Sequence, residues 1–166
     1  MRAIFLAGLT AMMLMPAVMS AGEVATGVDQ EGRRSVVLKD TRTALKPGEV
    51  MLIAVVAQSA DEPKPSKSFL MVSAFHDSGR WASCSNVEWA VEGKAYSAMP
   101  KVTYHSKAHT GHVSEILDFD PVPLETFARF AHATNIKFRV CDDEISMTAD
   151  QLADLKQFAD VLGAKK

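Results

Sequence analysis

Three of the five histidines, His105, His109 and His112, fall within the stretch YHSKAHTGH, Tyr104–His112. Imidazole nitrogens are good ligands for zinc or copper, so three of them on one hairpin could hold a metal ion. Register decides whether they meet. With a two-residue turn at Ala108 and His109, Tyr104 faces Val113, His105 faces His112, and His109 at the tip completes the set. With a three-residue loop that puts Gly111 in its left-handed position, Ala108 pairs with His112 and His105 faces Glu115 instead. Turn chemistry favours the second arrangement, because Ala-His suits the positive φ angles of a type I′ turn poorly. The spacing H-x3-H-x2-H also matches no zinc signature. The expectation is a solvated hairpin tip, with a zinc or copper site at His105, His109 and His112 as the alternative.

Other chemistry is thin. The sequence has no GxSxG elbow, no HExxH, no P-loop and no dinucleotide fingerprint after a strand. Glu115, Asp118 and Asp120 could supply carboxylates for glycoside hydrolysis, yet strand alternation puts Glu115 and Asp118 on opposite faces. No catalytic residue and no cofactor is therefore assigned. Trp81, Trp89 and Tyr96 are candidate ligand-facing aromatics. The pair Trp89 and Tyr96 could carry a sugar ring if it faced solvent, although core packing is the commoner use of such a pair. Trp81, in SGRWASC, reads as a loop plug or an exposed anchor.

The N-terminal residues bear on where this chemistry would take place. Arg2 precedes an apolar run from Ala3 to Met15, then Pro16 and small residues ending at Ala21, the pattern of a secretory leader. The run is short of the roughly 20 residues needed to cross a bilayer, and no later segment reaches that length, so stable membrane insertion is not expected. Residues 1–21 are read as a signal peptide, 22–34 as a loose lead-in and 35–166 as a single domain. Removing 21 of the 166 residues leaves 145, enough for one core. The expected location is periplasmic or secreted. In an oxidising compartment the two cysteines, Cys84 and Cys141, are expected to form a disulfide. With 18 basic and 20 acidic residues the chain offers no basic field for nucleic acid.

The elements that must position these residues are legible from periodicity. Val50–Ala57 and Ser68–Phe75 are short, nearly continuous apolar runs, read as interior strands covered on both faces. The connector QSADEPKPSK between them, with Pro63 and Pro65, reads as an exposed hairpin connection or a recognition loop. In NVEWAVEGKAYSA, residues of period two flank a turn at Glu92 and Gly93 that sets Trp89 opposite Tyr96. Pro123 begins a helix whose buried face is Leu124, Phe127, Ala128 and Ala131. In NIKFRVCDDEISM a turn at Asp142 and Asp143 pairs Val140 with Ile145, leaving Lys137, Arg139 and Cys141 on the other face. The final helix opens on a capping box, Thr148 with Gln151, and stops at Gly163. Its stripe is Leu152, Leu155, Ala159 and Leu162, widened by Phe158.

The run from Leu124 to Leu162 resembles a pattern of small, uncharacterised exported bacterial proteins; it implies a bacterial envelope setting and no activity. The architecture expected is α+β, an antiparallel β-meander sheet with two helices of the C-terminal region packed on it. The function expected is an exported, non-enzymatic module that binds a protein or cell-envelope component. A histidine-dependent metal-binding protein and a small hydrolase of envelope polymers are the alternatives.

Overall fold

The computed structural model describes residues 22–28, 32–40, 49–58, 67–84 and 86–163. The leader and the connector bearing Pro63 and Pro65 lie outside the described residues. Ten strands and two helices form two antiparallel sheets among the described residues. Strands β1 (Gly22–Val28), β2 (Arg34–Asp40), β3 (Val50–Gln58) and β4 (Lys67–His76) follow one another as a meander. Strands β5 (Val87–Val91) and β6 (Lys94–Tyr96) form a hairpin, as do β7 (Val102–His109) and β8 (His112–Phe119). Helix α1 (Leu124–Ala131), strands β9 (Ile136–Val140) and β10 (Asp143–Ser146), and helix α2 (Ala149–Leu162) complete the chain. The larger sheet has the order β1-β2-β3-β4-β8-β7, and the smaller β10-β9-β5-β6.

The segment read as a loose lead-in is partly β1: Gly22–Val28 pairs along its whole length with β2. Backbone hydrogen bonds to a neighbouring strand do not require apolar side chains, so this edge strand carries no periodic signal.

Both helices and the small sheet, the covering elements among the described residues, lie on one face of the large sheet. Along β2, β3 and β4, the residues Leu38, Leu52, Ala54, Leu70 and Val72 are buried there, with Leu117 and Phe119 of β8. The Gln151 side-chain amide of α2 donates to the carbonyl of Val50 at 2.7 Å. Helix α1 is held to β4 where Ser68 Oγ donates to the Val122 carbonyl at 2.6 Å and the Val122 amide donates back to the Ser68 carbonyl at 2.8 Å. The small sheet reaches the same face through Trp89, whose ring meets Phe119 edge-on at 5.4 Å and stacks on Phe138 at 4.8 Å. Phe127 and Phe158 join the two helices edge to face. The core is thus one aromatic and aliphatic layer enclosed by the large sheet, the small sheet and both helices.

Local signals read from the sequence reappear here. Glu92 and Gly93 take φ of 53° and 74°, the doubly positive turn of a type I′ hairpin, and Trp89 pairs with Tyr96. Thr148 and Gln151 form the capping box, and Gly163 closes α2 in the left-handed conformation. Cys84 and Cys141 are bridged. Two registers differ. The β9–β10 turn is at Cys141 and Asp142, pairing Val140 with Asp143 and Phe138 with Ile145, two residues away from the sequence reading. A shift of two keeps every side chain on its expected face, so the apolar pattern could not distinguish the registers.

The β7–β8 turn matches neither register considered. It lies at Thr110 and Gly111, so His109 pairs with His112, His105 with Ile116 and Ser106 with Glu115. Gly111 adopts φ 83° and Thr110 keeps a negative φ, the pattern of a type II turn rather than of the primed turns usual in hairpins.

Candidate functional site

Alternation along the central strands puts a second set of apolar residues on the opposite, outer face of the large sheet. Val37 lies across from Val55, Val55 from Phe69, and Ile53 from Met71. Met51, Phe75 and Ile116 extend this set, and each of these side chains is half-buried, whereas their inner-face neighbours are almost wholly enclosed. Among the described residues, both helices and the small sheet pack against the inner face. Of the two faces of β3 and β4 expected to be covered, the described elements cover the inner one. A continuous apolar run specifies a strand with two apolar faces and carries no information on what lies against the second.

This outer face also holds one polar anomaly. Asp118, paired with Met71 on one side and Thr103 on the other, has its Oδ1 atom buried without a hydrogen-bond partner. Burying an unpaired acceptor costs about 1–3 kcal/mol, more for a charged one, so the position favours a donor arriving from outside the described elements.

On the inner face the carboxylate of Glu115 has no exposure and is heavily satisfied. It accepts from the Trp81 amide at 2.7 Å, the Tyr104 hydroxyl at 2.8 Å, the Arg80 amide at 3.0 Å and His76 Nδ1 at 2.5 Å. Burial pushes the Glu115 carboxyl up, but the two amides, Tyr104 and His76 together outweigh it and hold it below the ordinary range. Burial and the adjacent Glu115 push the Tyr104 phenol up, with a Ser106 hydrogen bond acting the other way. A carboxylate with every lone pair engaged is not free to take up a substrate proton; its evident role is to hold the 77–84 loop on the sheet. Glu115 and Asp118 face opposite sides, as alternation required, and do not converge.

The loop that Glu115 secures carries Trp81, which is fully buried and donates its indole N–H to Asp143 at 2.9 Å. Trp81 is therefore a plug tying the loop to β10, not a ligand-facing anchor. Arg80 pairs with the other oxygen of Asp143, and the Cys84–Cys141 bridge closes the same junction. Trp89 is also core, stacked between Phe130 and Phe138. One side of it and of half-buried Tyr96 lines a groove of about 700 Å³ with Met99, Phe138, Lys137 and Arg139. Trp89 Nε1 is buried there without a partner, while the Tyr96 hydroxyl donates to Thr126 Oγ1 at 2.9 Å. Four of the five charged residues lining it pair with one another, Lys137 with Glu144 at 2.8 Å and Arg139 with Glu88; the fifth is Lys101.

The histidines are distributed by the observed register. His109 and His112 stack at 4.8 Å with their planes 12° apart, and Phe75 meets His112 edge-on at 5.5 Å. His105 sits four residues back along β7, opposite Ile116. In place of the three-ligand arrangement there is a pair and a separate single histidine. Among the described residues no group of three His, Cys, Asp or Glu side chains is placed to hold a metal ion.

The residue that sequence reasoning passed over is His76. It ends an apolar run, 39 residues from Glu115 in the chain, and no local spacing connects the two. The chain matches no family model, and no curated protein or solved structure matches it. Among the described residues no helix is long and apolar enough to cross a membrane.

Proposed function

We propose that the protein is an exported, non-enzymatic module that binds a protein or cell-envelope component through the outer face of its large sheet. The observation that carries this reading is the apolar ladder Val37, Val55, Phe69, Ile53 and Met71, on the side of the sheet away from both helices and the small sheet. A contiguous apolar surface of this kind marks interaction sites in proteins that otherwise keep such groups inside. The unpaired Asp118 Oδ1 at its margin gives a partner one polar contact to satisfy. The groove beside Tyr96 is the weaker candidate because four of the five charged residues lining it already pair with one another. The disulfide fits an oxidising compartment, periplasmic or extracellular.

The test is affinity capture from envelope extract with the native chain and with the doubly substituted I53E/M71E chain, whose fold is checked by circular dichroism. Enrichment of a component by the native chain, lost in the double variant and little affected by 0.5 M salt, supports apolar recognition on this face. Equal enrichment by both folded chains excludes the outer face.

A second reading rests on the stacked pair His109 and His112, which offers two imidazoles to one zinc or copper ion. Titration of zinc followed by the imidazole proton resonances tests it. Saturable shifts confined to these two rings support the site, and unshifted resonances at millimolar zinc remove it.

A further inference from the structure

We infer that the occupant of the outer face is a second copy of this chain, packed sheet on sheet about a two-fold axis that runs along the strands between β3 and β4. The inference rests on the reading of that face as an interaction surface and names its partner. One row of paired residues crosses the sheet there. Glu23 on β1 lies opposite Lys39 on β2, Lys39 opposite Ile53 on β3, and Ile53 opposite Met71 on β4. Met71 in turn lies opposite Asp118 on β8, and Asp118 opposite Thr103 on β7. Alternation settles the side of Lys39, because Leu38 and Asp40 on either side of it are buried on the inner face while Lys39 is exposed. The row therefore has an apolar centre, Ile53 and Met71, with a cation one strand beyond it at one end and an anion one strand beyond it at the other.

A two-fold axis midway between β3 and β4, parallel to both, exchanges the two ends of this row. Ile53 then faces Met71 of the partner subunit, and Lys39 faces Asp118 of the partner subunit, twice in each dimer. The same operation sets Val55 over Phe69 of the partner subunit and Met51 over Ser73 of the partner subunit, the second a large side chain over a small one. Packed sheets stand about 10 Å apart with strands within about 30° of each other, a gap that the four-carbon stem of a lysine and a facing aspartate can bridge. The ammonium supplies the donor that Asp118 Oδ1 lacks. An axis laid along the row instead puts Lys39 over Lys39 of the partner subunit and Asp118 over Asp118 of the partner subunit, like charges that oppose association. Charge complementarity thus selects one self-matching arrangement, and it closes on itself with both apolar faces covered.

Sedimentation equilibrium of the purified protein tests the association, and carbodiimide coupling, which joins an amine to a carboxyl without a spacer, tests the register. A dimer is expected, and in it a coupled peptide pair linking Lys39 to Asp118. Within one chain these residues stand three strand spacings apart, roughly 14 Å, so the link forms only between subunits. K39D and D118K should each weaken the dimer roughly 10- to 100-fold by opposing like charges. An equimolar mixture of the two variants, in which every facing pair is again of opposite charge, should regain it. Should D118K fail to fold, the coupled peptide of the native protein and the loss in K39D remain decisive. A dimer without the Lys39 to Asp118 link, a dimer that K39D leaves unchanged, or a mixture of folded variants no tighter than either alone overturns the inference. A monomeric native chain overturns it too; if that monomer captures an envelope component that I53E/M71E does not, the outer face stands as a site for another partner and only the second copy is removed.

Discussion

His76 Nδ1 stands 2.5 Å from Glu115 Oε2 across β4 and β8, with the two side chains 5 % and 0 % exposed. An ionised carboxylate only accepts, so the imidazole carries its hydrogen on Nδ1 and turns its other nitrogen away from Glu115. The His76 ring also meets Trp81 edge-on at 5.0 Å, so the strand, the carboxylate and the loop plug form one unit. Replacing Glu115 by Gln keeps the volume but sets an amide N–H₂ against donors. We expect E115Q to lose roughly 2–4 kcal/mol in urea unfolding, between the loss of a charged hydrogen bond and the breaking of a buried pair.

The same carboxylate sets an acid limit. Its folded pKa is below the ordinary carboxyl value of 4.5, so its contribution is fully present above that pH and disappears as pH falls through the lower, folded value. The stability gap between the native protein and E115Q should therefore be constant from pH 7 to about 5 and narrow below 4.5. A gap that does not change down to pH 2.5 would mean that folding does not lower the pKa of Glu115.

Cys84 and Cys141 are 57 residues apart in sequence, and their bridge joins the Glu115-anchored loop to the β9–β10 turn. The chain-entropy account of cross-links gives about 4 kcal/mol for a loop of this length. The paired substitution C84S/C141S should lose about that much and should also open the Trp81 junction. Quenching of Trp81 fluorescence by iodide in the folded variant, absent in the oxidised native protein, reports the opening.

How much of this was legible in the sequence depended on the range of the interaction. Trp89 opposite Tyr96, the Thr148 cap and the Gly163 stop follow from residues a few positions apart, and each is found as read. The disulfide was legible because only one pairing of two cysteines exists within the chain. The Glu115 site was not, since its donors come from positions 76, 80, 81 and 104, which only the sheet order brings together. The β9–β10 register escaped for a different reason: Cys141, which is bridged to Cys84, holds φ 51°, a conformation turn chemistry assigns to Gly or Asn. The two apolar faces of β3 and β4 were visible, but not which one the rest of the chain would cover.

The hairpin tip offers a direct check of the turn that the sequence misplaced. Gly111 has φ 83° with nothing within 4 Å of a built Cβ, so substitution costs backbone conformation alone. G111A should lower stability by about 1–2 kcal/mol, the cost of a left-handed L-residue, without a packing penalty. It should also disturb the stacking of His109 on His112, read as a change in their imidazole chemical shifts. A neutral G111A would place the turn elsewhere.

Gln151 serves two ends of α2 packing at once. Its Oε1 accepts from the Thr148 amide at 3.0 Å as the capping box requires, while its Nε2 donates to the Val50 carbonyl at 2.7 Å and so fixes the helix to β3. With 2 % exposure, neither atom has water as a substitute. Q151E separates the two roles. The carboxylate can still accept from Thr148, but in its ionised form it confronts the Val50 carbonyl with a second acceptor. Burial and that carbonyl raise the folded pKa of the introduced acid above its unfolded value. A raised acid pKa means stability is retained below the unfolded value and lost as pH rises through the folded one. Q151E should be destabilised by at least about 2 kcal/mol at pH 7 and recover most of this toward pH 4, where the protonated acid can donate to Val50. T148A, which removes only the side-chain acceptor, should lose about 1 kcal/mol with no recovery in acid. If Q151E and T148A show the same pH profile, the bond from Gln151 to β3 contributes nothing beyond the cap.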